Sequence, residues 1–103
     1  MAEKTIMLAC NAGMSTSLLV AKMQKAAADA GEDVEIFATS ADQIDQKMDE
    51  KNPNILMLGP QVRYMFKKLQ DRLDIPVEVI DMKDYGMMNG KGVLETALKG
   101  IKE

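Results

Sequence analysis

Residues 5–19 read Thr-Ile-Met-Leu-Ala-Cys-Asn-Ala-Gly-Met-Ser-Thr-Ser-Leu-Leu, and this stretch decides the fold of the 103-residue chain. A short apolar run, residues 6–9, gives way to small and hydroxylic residues, after which an apolar helical period resumes. This order predicts a buried strand, a tight loop and a helix. Because the strand is apolar throughout, we expect it to be central in a parallel sheet.

The only cysteine of the chain, Cys10, lies where this strand ends. The loop after it leads into a helix N-terminus, where backbone N–H groups lack intrahelical acceptors and the helix dipole is positive. Such a position binds anions, most often phosphate, and it favours the thiolate form of cysteine. The sequence therefore predicts a cysteine that handles phosphate, with these loop residues as ligands: Asn11, Ala12, Gly13, Met14, Ser15, Thr16 and Ser17.

Composition places the chain among ordinary globular proteins, because 47% of its residues are hydrophobic and 28% are charged. Its length fits a single domain over residues 1–103. A net charge of −3 argues against a general nucleic-acid binder, and no apolar run approaches the roughly 18 residues that span a bilayer. Histidine is absent, which removes the usual general base, metal ligand and phosphohistidine. With a single cysteine and no signal-peptide pattern, we expect a cytoplasmic protein.

Strand and helix patterns alternate along the rest of the chain. The apolar stripe of the first helix ends at Ala30, before Gly31, and Ser40 with Gln43 predicts a capping box for a brief second helix. Pro60 suits the first turn of a third helix. The predicted strands cover residues 6–9, 34–39, 55–58 and 77–80; the predicted helices cover residues 17–30, follow Ser40, begin at Pro60 and contain Val93–Ile101; and residues 49–54 and 81–89 are predicted as a turn and a loop.

This alternation predicts one α/β domain with a four-stranded parallel sheet and helices on both faces. In such sheets ligands bind beyond the carboxyl ends of the strands, where the strand order switches direction. An order of 2-1-3-4 puts that switch between the first and third strands. We therefore expect Cys10, the turn at residues 59–61 and the segment at residues 81–89 to surround one site.

A comparison with cysteine phosphatases separates two kinds of phosphate chemistry. In their loop, five residues separate the Cys from an Arg, and this Arg clamps two oxygens of the phosphate. Here that position holds Thr16, and no Arg occurs between Cys10 and Val62. Because an arginine clamp supplies much of the transition-state stabilisation in phosphoryl transfer, its absence favours a carrier that a partner completes over a hydrolase.

Three residues outside the loop are candidate neighbours of the phosphate, each with a structural alternative. Gln61 is either a donor at the start of a helix or a phosphate neighbour. Asp81 is a loop or capping residue, or else a general acid. Tyr85 is a packing residue or a ligand, and Cys10 itself has the alternative of a small core hydrophobe.

Residues 10–20, Cys-Asn-Ala-Gly-Met-Ser-Thr-Ser-Leu-Leu-Val, resemble the active loop of the lactose/cellobiose-type enzyme IIB of the bacterial sugar phosphotransferase system. Leu58-Gly59-Pro60-Gln61, residues 77–81 and Tyr85-Gly86 resemble later landmarks of that family in the same order. Asn11 replaces the Ser of some members. The resemblance covers essentially the whole chain, and a free chain of this length resembles the cellobiose branch more than the usual lactose arrangement.

The resemblance implies a sheet of order 2-1-3-4, in an architecture like that of the low-molecular-weight tyrosine phosphatases. It implies that Cys10 accepts a phosphoryl group from a phosphohistidine of enzyme IIA and passes it to a cellobiose-like β-linked disaccharide in the membrane enzyme IIC. No metal or organic cofactor is implied. Since the helices show no long exposed apolar face, we expect a monomer that meets the membrane only through enzyme IIC.

Three other functions remain open at this point. A phosphatase-like hydrolase would turn over an aryl phosphate. A receiver-like module would need an acidic pair after the first strand and an Asp at the end of the third, where this chain has Cys10-Asn11 and Leu58-Gly59. A non-catalytic interaction domain would be indifferent to the loss of the Cys10 thiol.

Overall fold

Four parallel strands form one sheet in the computed structural model of the protein, which describes residues 4–10 and 14–101. The strand order is β2-β1-β3-β4, as the resemblance to the IIB family implies. Lys4 pairs with Val34 and Ile6 with Ile55, so β1 lies between two parallel partners. The strands are β1 Lys4–Cys10, β2 Val34–Ser40, β3 Ile55–Leu58 and β4 Val77–Val79.

Helices connect these strands, and two of them are preceded by a 3₁₀ turn. The 3₁₀ turns cover Ala41–Gln43 and Pro60–Met65. The α-helices are α1 Met14–Ala30, α2 Ile44–Lys51, α3 Phe66–Arg72, α4 Met82–Gly86 and α5 Gly90–Gly100. Within the described part of the chain, no helix is both long enough and apolar enough to cross a membrane.

The alternating side chains of β1 feed two separate cores, one on each face of the sheet. Ile6 and Leu8 belong to a core that also contains α1 and α5 residues such as Leu19 and Val93. Met7 and Ala9 belong to the other core. Ile44 of α2, Val62 of the second 3₁₀ turn and Leu69 of α3 complete it. Because successive strand residues point to opposite faces, this division confirms that helices cover both sides of the sheet.

Helix α1 differs from its prediction in two respects. Helix α1 begins at Met14, three residues before the predicted start, and its last residue, Ala30, is exposed rather than part of the buried stripe. Gly31 has φ +73°, which identifies it as the left-handed residue that ends α1, as predicted. The small hydroxylic residues at the helix start look like a loop in the sequence, but Thr16 is buried and its turn is helical.

The predicted capping box at Ser40 is wrong. Ser40 is the last residue of β2, its side chain makes no capping hydrogen bond, and a 3₁₀ turn separates it from α2. The predicted turn at residues 49–54 is also displaced, because α2 continues to Lys51 and ends where Asn52 takes a left-handed conformation (φ 48°). Asn tolerates that conformation better than most residues, which explains where α2 ends.

The prediction of a loop at residues 81–89 is wrong. The segment contains the short helix α4 and the residue that caps the start of α5. Asp81 caps α4 by accepting from the backbone N–H of Lys83, and Asn89 caps α5 by accepting from the N–H of Gly92 at 3.1 Å. Side-chain oxygens of Asp and Asn satisfy the first N–H groups of a helix, so two caps close together allow two helices with a tight joint. This joint sets the position of α4 at the carboxyl edge of the sheet.

Gly90 is the point of closest approach between α1 and α5. A Cβ atom added there would lie 2.6 Å from the backbone carbon of Lys22 and 2.7 Å from the nitrogen of Met23. We expect Gly90→Ala to lower the free energy of unfolding by about 1–3 kcal/mol, because the two helices must separate to admit the methyl group. Urea denaturation measures this change.

Gly86→Ala is the matched control, because a Cβ atom at Gly86 meets nothing within 4 Å. If both variants unfold at the same urea concentration, close packing at Gly90 does not limit stability.

Candidate functional site

Cys10 ends the central strand and lies at the point where the strand order switches. Its residue is 3% exposed, and it pairs in register with Ser40 of β2. On the other side, the N–H of Gly59 donates to the carbonyl of Ala9 at 2.8 Å, which brings the end of β3 beside Cys10. Two strands therefore position the thiol at the crevice where sheets of this class bind ligands.

Thr16, in the first turn of α1, contacts the thiol. Its Oγ1 is hydrogen-bonded to Cys10 Sγ, and Thr16 is 1% exposed. Either atom can be the donor. The contact places the sulfur at the N-terminal end of a 17-residue helix whose first turn contains no acidic residue. The positive potential of that helix end is therefore available to an anion on the sulfur.

Tyr85 reaches the same group from α4. Its ring belongs to the core that contains α1 and α5, and the residue is 9% exposed. Its Oη lies 3.5 Å from Thr16 Oγ1. A buried tyrosine with its ring in the core and its hydroxyl on a polar neighbour is the usual arrangement for this side chain. Tyr85 is therefore a packing residue. Its hydroxyl also contacts the Thr16 side chain, which in turn contacts Cys10.

Gly59 and Gln61 form the opposite side of the crevice. A Cβ atom built on Gly59 would lie 3.0 Å from the Cβ of Cys10 and 3.1 Å from Oε1 of Gln61. The Gln61 side chain and Cys10 thus both pack against Gly59, a residue that has no side chain. The sequence argument places the 59–61 turn at the site without selecting Gly59. The signal that identifies Gly59 is a glycine directly after a buried strand, where a backbone or ligand approaches closely.

Asp81 is exposed, and its carboxylate accepts from the backbone N–H of Lys83 at 3.4 Å, which makes it the capping residue of α4. Of the loop residues selected from the sequence, Asn11, Ala12 and Gly13 lie outside the described residues, as do the side chains of Met14 and Ser15.

The position at which a cysteine phosphatase loop has its arginine holds Thr16 in this chain. The two arginines, Arg63 and Arg72, both lie in the segment from the second 3₁₀ turn to α3. Arg63 is exposed, and Arg72 pairs with Asp45 at 3.0 Å on the surface. The described residues also contain no cluster of His, Cys, Asp or Glu that could hold a metal ion.

A thiol with a hydroxyl neighbour and a positive helix end, but without the arginine of a phosphatase loop, is suited to nucleophilic attack and to holding an anion. The arrangement supplies hydrogen-bond donors rather than a fixed positive charge. Such a site can bind a phosphoryl group on sulfur. It is less well equipped to stabilise the extra charge that develops when water attacks phosphorus.

Comparison with known proteins identifies the family. Residues 5–96 match the family model of the lactose/cellobiose-specific IIB subunit of the phosphotransferase system. This match covers most of the chain and includes both Cys10 and Tyr85. The protein therefore belongs to the lactose/cellobiose IIB family of the sugar phosphotransferase system, as the loop motif indicates.

Relatives and solved structures agree with this assignment. The chain is 53% identical to the cellobiose-specific EIIB component of Lactococcus lactis subsp. lactis, over 94% of this chain and 95% of that protein. It is 52% identical to the galactose-specific EIIB component of Lactococcus lactis subsp. cremoris, with the same coverage. The solution structure of the cellobiose-specific IIB component of Borrelia burgdorferi is 35% identical and superimposes with a TM-score of 0.77, over 95% of this chain and 91% of that one.

Gly59→Ala tests the close approach between the 59–61 turn and Cys10. Because Cys10 Cβ belongs to the central strand and cannot swing aside, we expect a loss of about 1 kcal/mol in the free energy of unfolding. We also expect slower alkylation of Cys10 by iodoacetamide, since the added methyl group narrows the crevice beside the thiol. Unchanged alkylation and stability, relative to Gly86→Ala, would contradict the proposed closeness.

Proposed function

We propose that this protein is the phosphoryl carrier of a sugar phosphotransferase system, with Cys10 as the residue that carries the phosphoryl group. As a member of the IIB family, it works with IIA and membrane IIC partners. The finer proposal is that the donor is a phosphohistidine of enzyme IIA and the acceptor is a disaccharide held by enzyme IIC. We place this exchange in the cytoplasm, at the inner face of the membrane.

The observation that carries this proposal is the environment of Cys10 Sγ. A thiol at the carboxyl end of the central strand contacts a hydroxyl in the first turn of α1, where a cysteine phosphatase has its arginine. The site thus keeps the nucleophile and the positive helix end of the phosphatases but lacks the clamp. A partner that brings its own positive charge to the transition state supplies the missing element.

The first transfer forms one bond and breaks another. The Cys10 thiolate attacks phosphorus, the S–P bond forms, and the N–P bond of the phosphohistidine breaks with its electron pair returning to the imidazole. Backbone N–H groups of residues 11–17, together with the hydroxyls of that segment, are the proposed ligands of the phosphoryl oxygens. Since Cys10 is 3% exposed, side chains at this edge move aside when the partner docks.

The second transfer uses the thiolate as leaving group. A sugar hydroxyl attacks phosphorus, the O–P bond forms, and the S–P bond breaks with its electron pair returning to Cys10. The hydroxyl proton passes to a base, and since the chain has no histidine, we assign that base to the sugar-binding partner. The protein therefore ends the cycle unchanged, as a carrier must.

The sugar is proposed to be a β-linked disaccharide of the cellobiose type. Support comes from the relative named for cellobiose, at 53% identity. The relative named for galactose is 52% identical, so the sugar does not follow from overall similarity. This is expected of a carrier, because the sugar contacts the membrane partner and not the core of this domain.

The test is phosphorylation of the intact chain by phosphorylated general components of the system and enzyme IIA at neutral pH. We expect the mass to increase by one phosphoryl group, located on Cys10 by fragmentation. Cys10→Ser is expected to show no increase, because a serine hydroxyl is not ionised at this pH and attacks far more slowly.

A circular dichroism spectrum identical to wild type shows that Cys10→Ser is folded. Incubation with an aryl phosphate separates the carrier from the hydrolase. Release of phosphate without prior phosphorylation by enzyme IIA would show that the protein is a phosphatase and not a carrier. Equal labelling of Cys10→Ser and wild type would remove Cys10 from the mechanism.

A further inference from the structure

We propose that Tyr85 is a positioning residue for Cys10 and acts through the hydroxyl of Thr16. The three polar atoms lie in a row: Cys10 Sγ is hydrogen-bonded to Thr16 Oγ1, and Thr16 Oγ1 lies 3.5 Å from Tyr85 Oη. They come from three elements, β1, α1 and α4, that sequence separates by up to 75 residues but that meet at one edge of the sheet.

The chemistry of the three groups sets the direction of the hydrogen bonds. A thiolate can only accept, so the Thr16 hydroxyl must donate its single proton to Cys10 when the sulfur is ionised. The oxygen of Thr16 then has lone pairs to accept from the Tyr85 O–H. The row therefore reads Tyr85 to Thr16 to Cys10, with each hydroxyl donating towards the sulfur.

Burial makes this arrangement effective. Cys10, Thr16 and Tyr85 are 3%, 1% and 9% exposed, so water does little to solvate them. In such surroundings a charged acceptor strengthens and shortens the hydrogen bonds that lead to it. The Thr16–Tyr85 distance of 3.5 Å is long for two hydroxyls, and we expect it to shorten when the thiolate forms.

The fold holds the Tyr85 hydroxyl at its place. The ring packs in the core with α1 and α5, and the Tyr85 N–H donates to the Asp81 carbonyl at 2.9 Å in the capped helix α4. A ring fixed by packing leaves its hydroxyl little freedom. Helix α4 therefore does more than connect β4 to α5, because it places a hydroxyl beside the Thr16 side chain that contacts Cys10.

The consequence for transfer rests on the proposed carrier function. A thiolate stabilised by donated hydrogen bonds is a better leaving group, so Tyr85 favours the step that releases the phosphoryl group to the sugar. The stabilisation of the thiolate itself does not depend on that function, and it is measured in the absence of any partner.

The experiment measures the ultraviolet absorbance of the thiolate in the full chain, at the pH where the wild-type thiol is half ionised. The absorbance of each variant is corrected by subtracting that of the same variant carrying Cys10→Ser, which keeps the tyrosine absorbance but lacks the thiolate. We expect Tyr85→Phe to lower the thiolate-to-thiol ratio about twofold to tenfold, the worth of one hydrogen bond. Tyr64→Phe is the matched control, since Tyr64 is 74% exposed.

Thr16 variants test the route. Thr16→Val is expected to lower the ratio at least as much as Tyr85→Phe, and Thr16→Ser is expected to keep it, because the hydroxyl is retained. In a Thr16→Val background, Tyr85→Phe is expected to have no further effect. If Tyr85→Phe leaves the ratio unchanged, or lowers it equally with and without the Thr16 hydroxyl, the proposal is overturned.

Discussion

The burial of β1 on both of its faces is the constraint on which the rest of this structure depends. Residues 6–9 are inaccessible to solvent, and their alternate side chains supply two cores that different helices cover. The buried backbone N–H and C=O groups of this strand need hydrogen-bond partners on both edges, and β2 and β3 supply them. The switch in strand order then falls at the end of β1, where Cys10 is. The position of Cys10 is thus a consequence of how the core is divided.

The cysteine contacts a hydroxyl at the N-terminal end of a helix in the part of the site that the structure describes. Thr16 occupies the position at which a phosphatase loop has arginine. A carrier benefits from this choice. In the proposed function, stronger stabilisation of the transition state would let water attack the phosphoryl group before the sugar does, whereas a site without the arginine reacts only when its partner completes it. The membership of the chain in the IIB family accords with this chemistry.

Much of the fold follows from local patterns. The third strand, Ile55–Leu58, has the predicted bounds because four apolar residues are enclosed by Asn54 and Gly59, and Gly31 ends α1 as predicted. The predictions failed where two local signals compete. Ser40 has the sequence of a helix cap but is used as the last residue of a strand, and residues 81–89 look irregular although two caps organise them as helices. Strand pairing and helix packing decided these cases.

By itself the sequence determined the fold class and the location of Cys10 at the end of a buried strand, because apolar runs and breaking residues are local and can be read in order. The sheet order came from the resemblance to the IIB family, since strand neighbours are not a local property of the sequence. Only the tertiary structure decided that Thr16 lies against the sulfur, that Tyr85 reaches Thr16 and that Gly59 leaves room for Cys10. Thr16 and Tyr85 are 69 residues apart, and their meeting depends on how α1 and α4 pack at one edge of the sheet. No local sequence pattern predicts this contact between Thr16 and Tyr85, since it results from the packing of the whole domain.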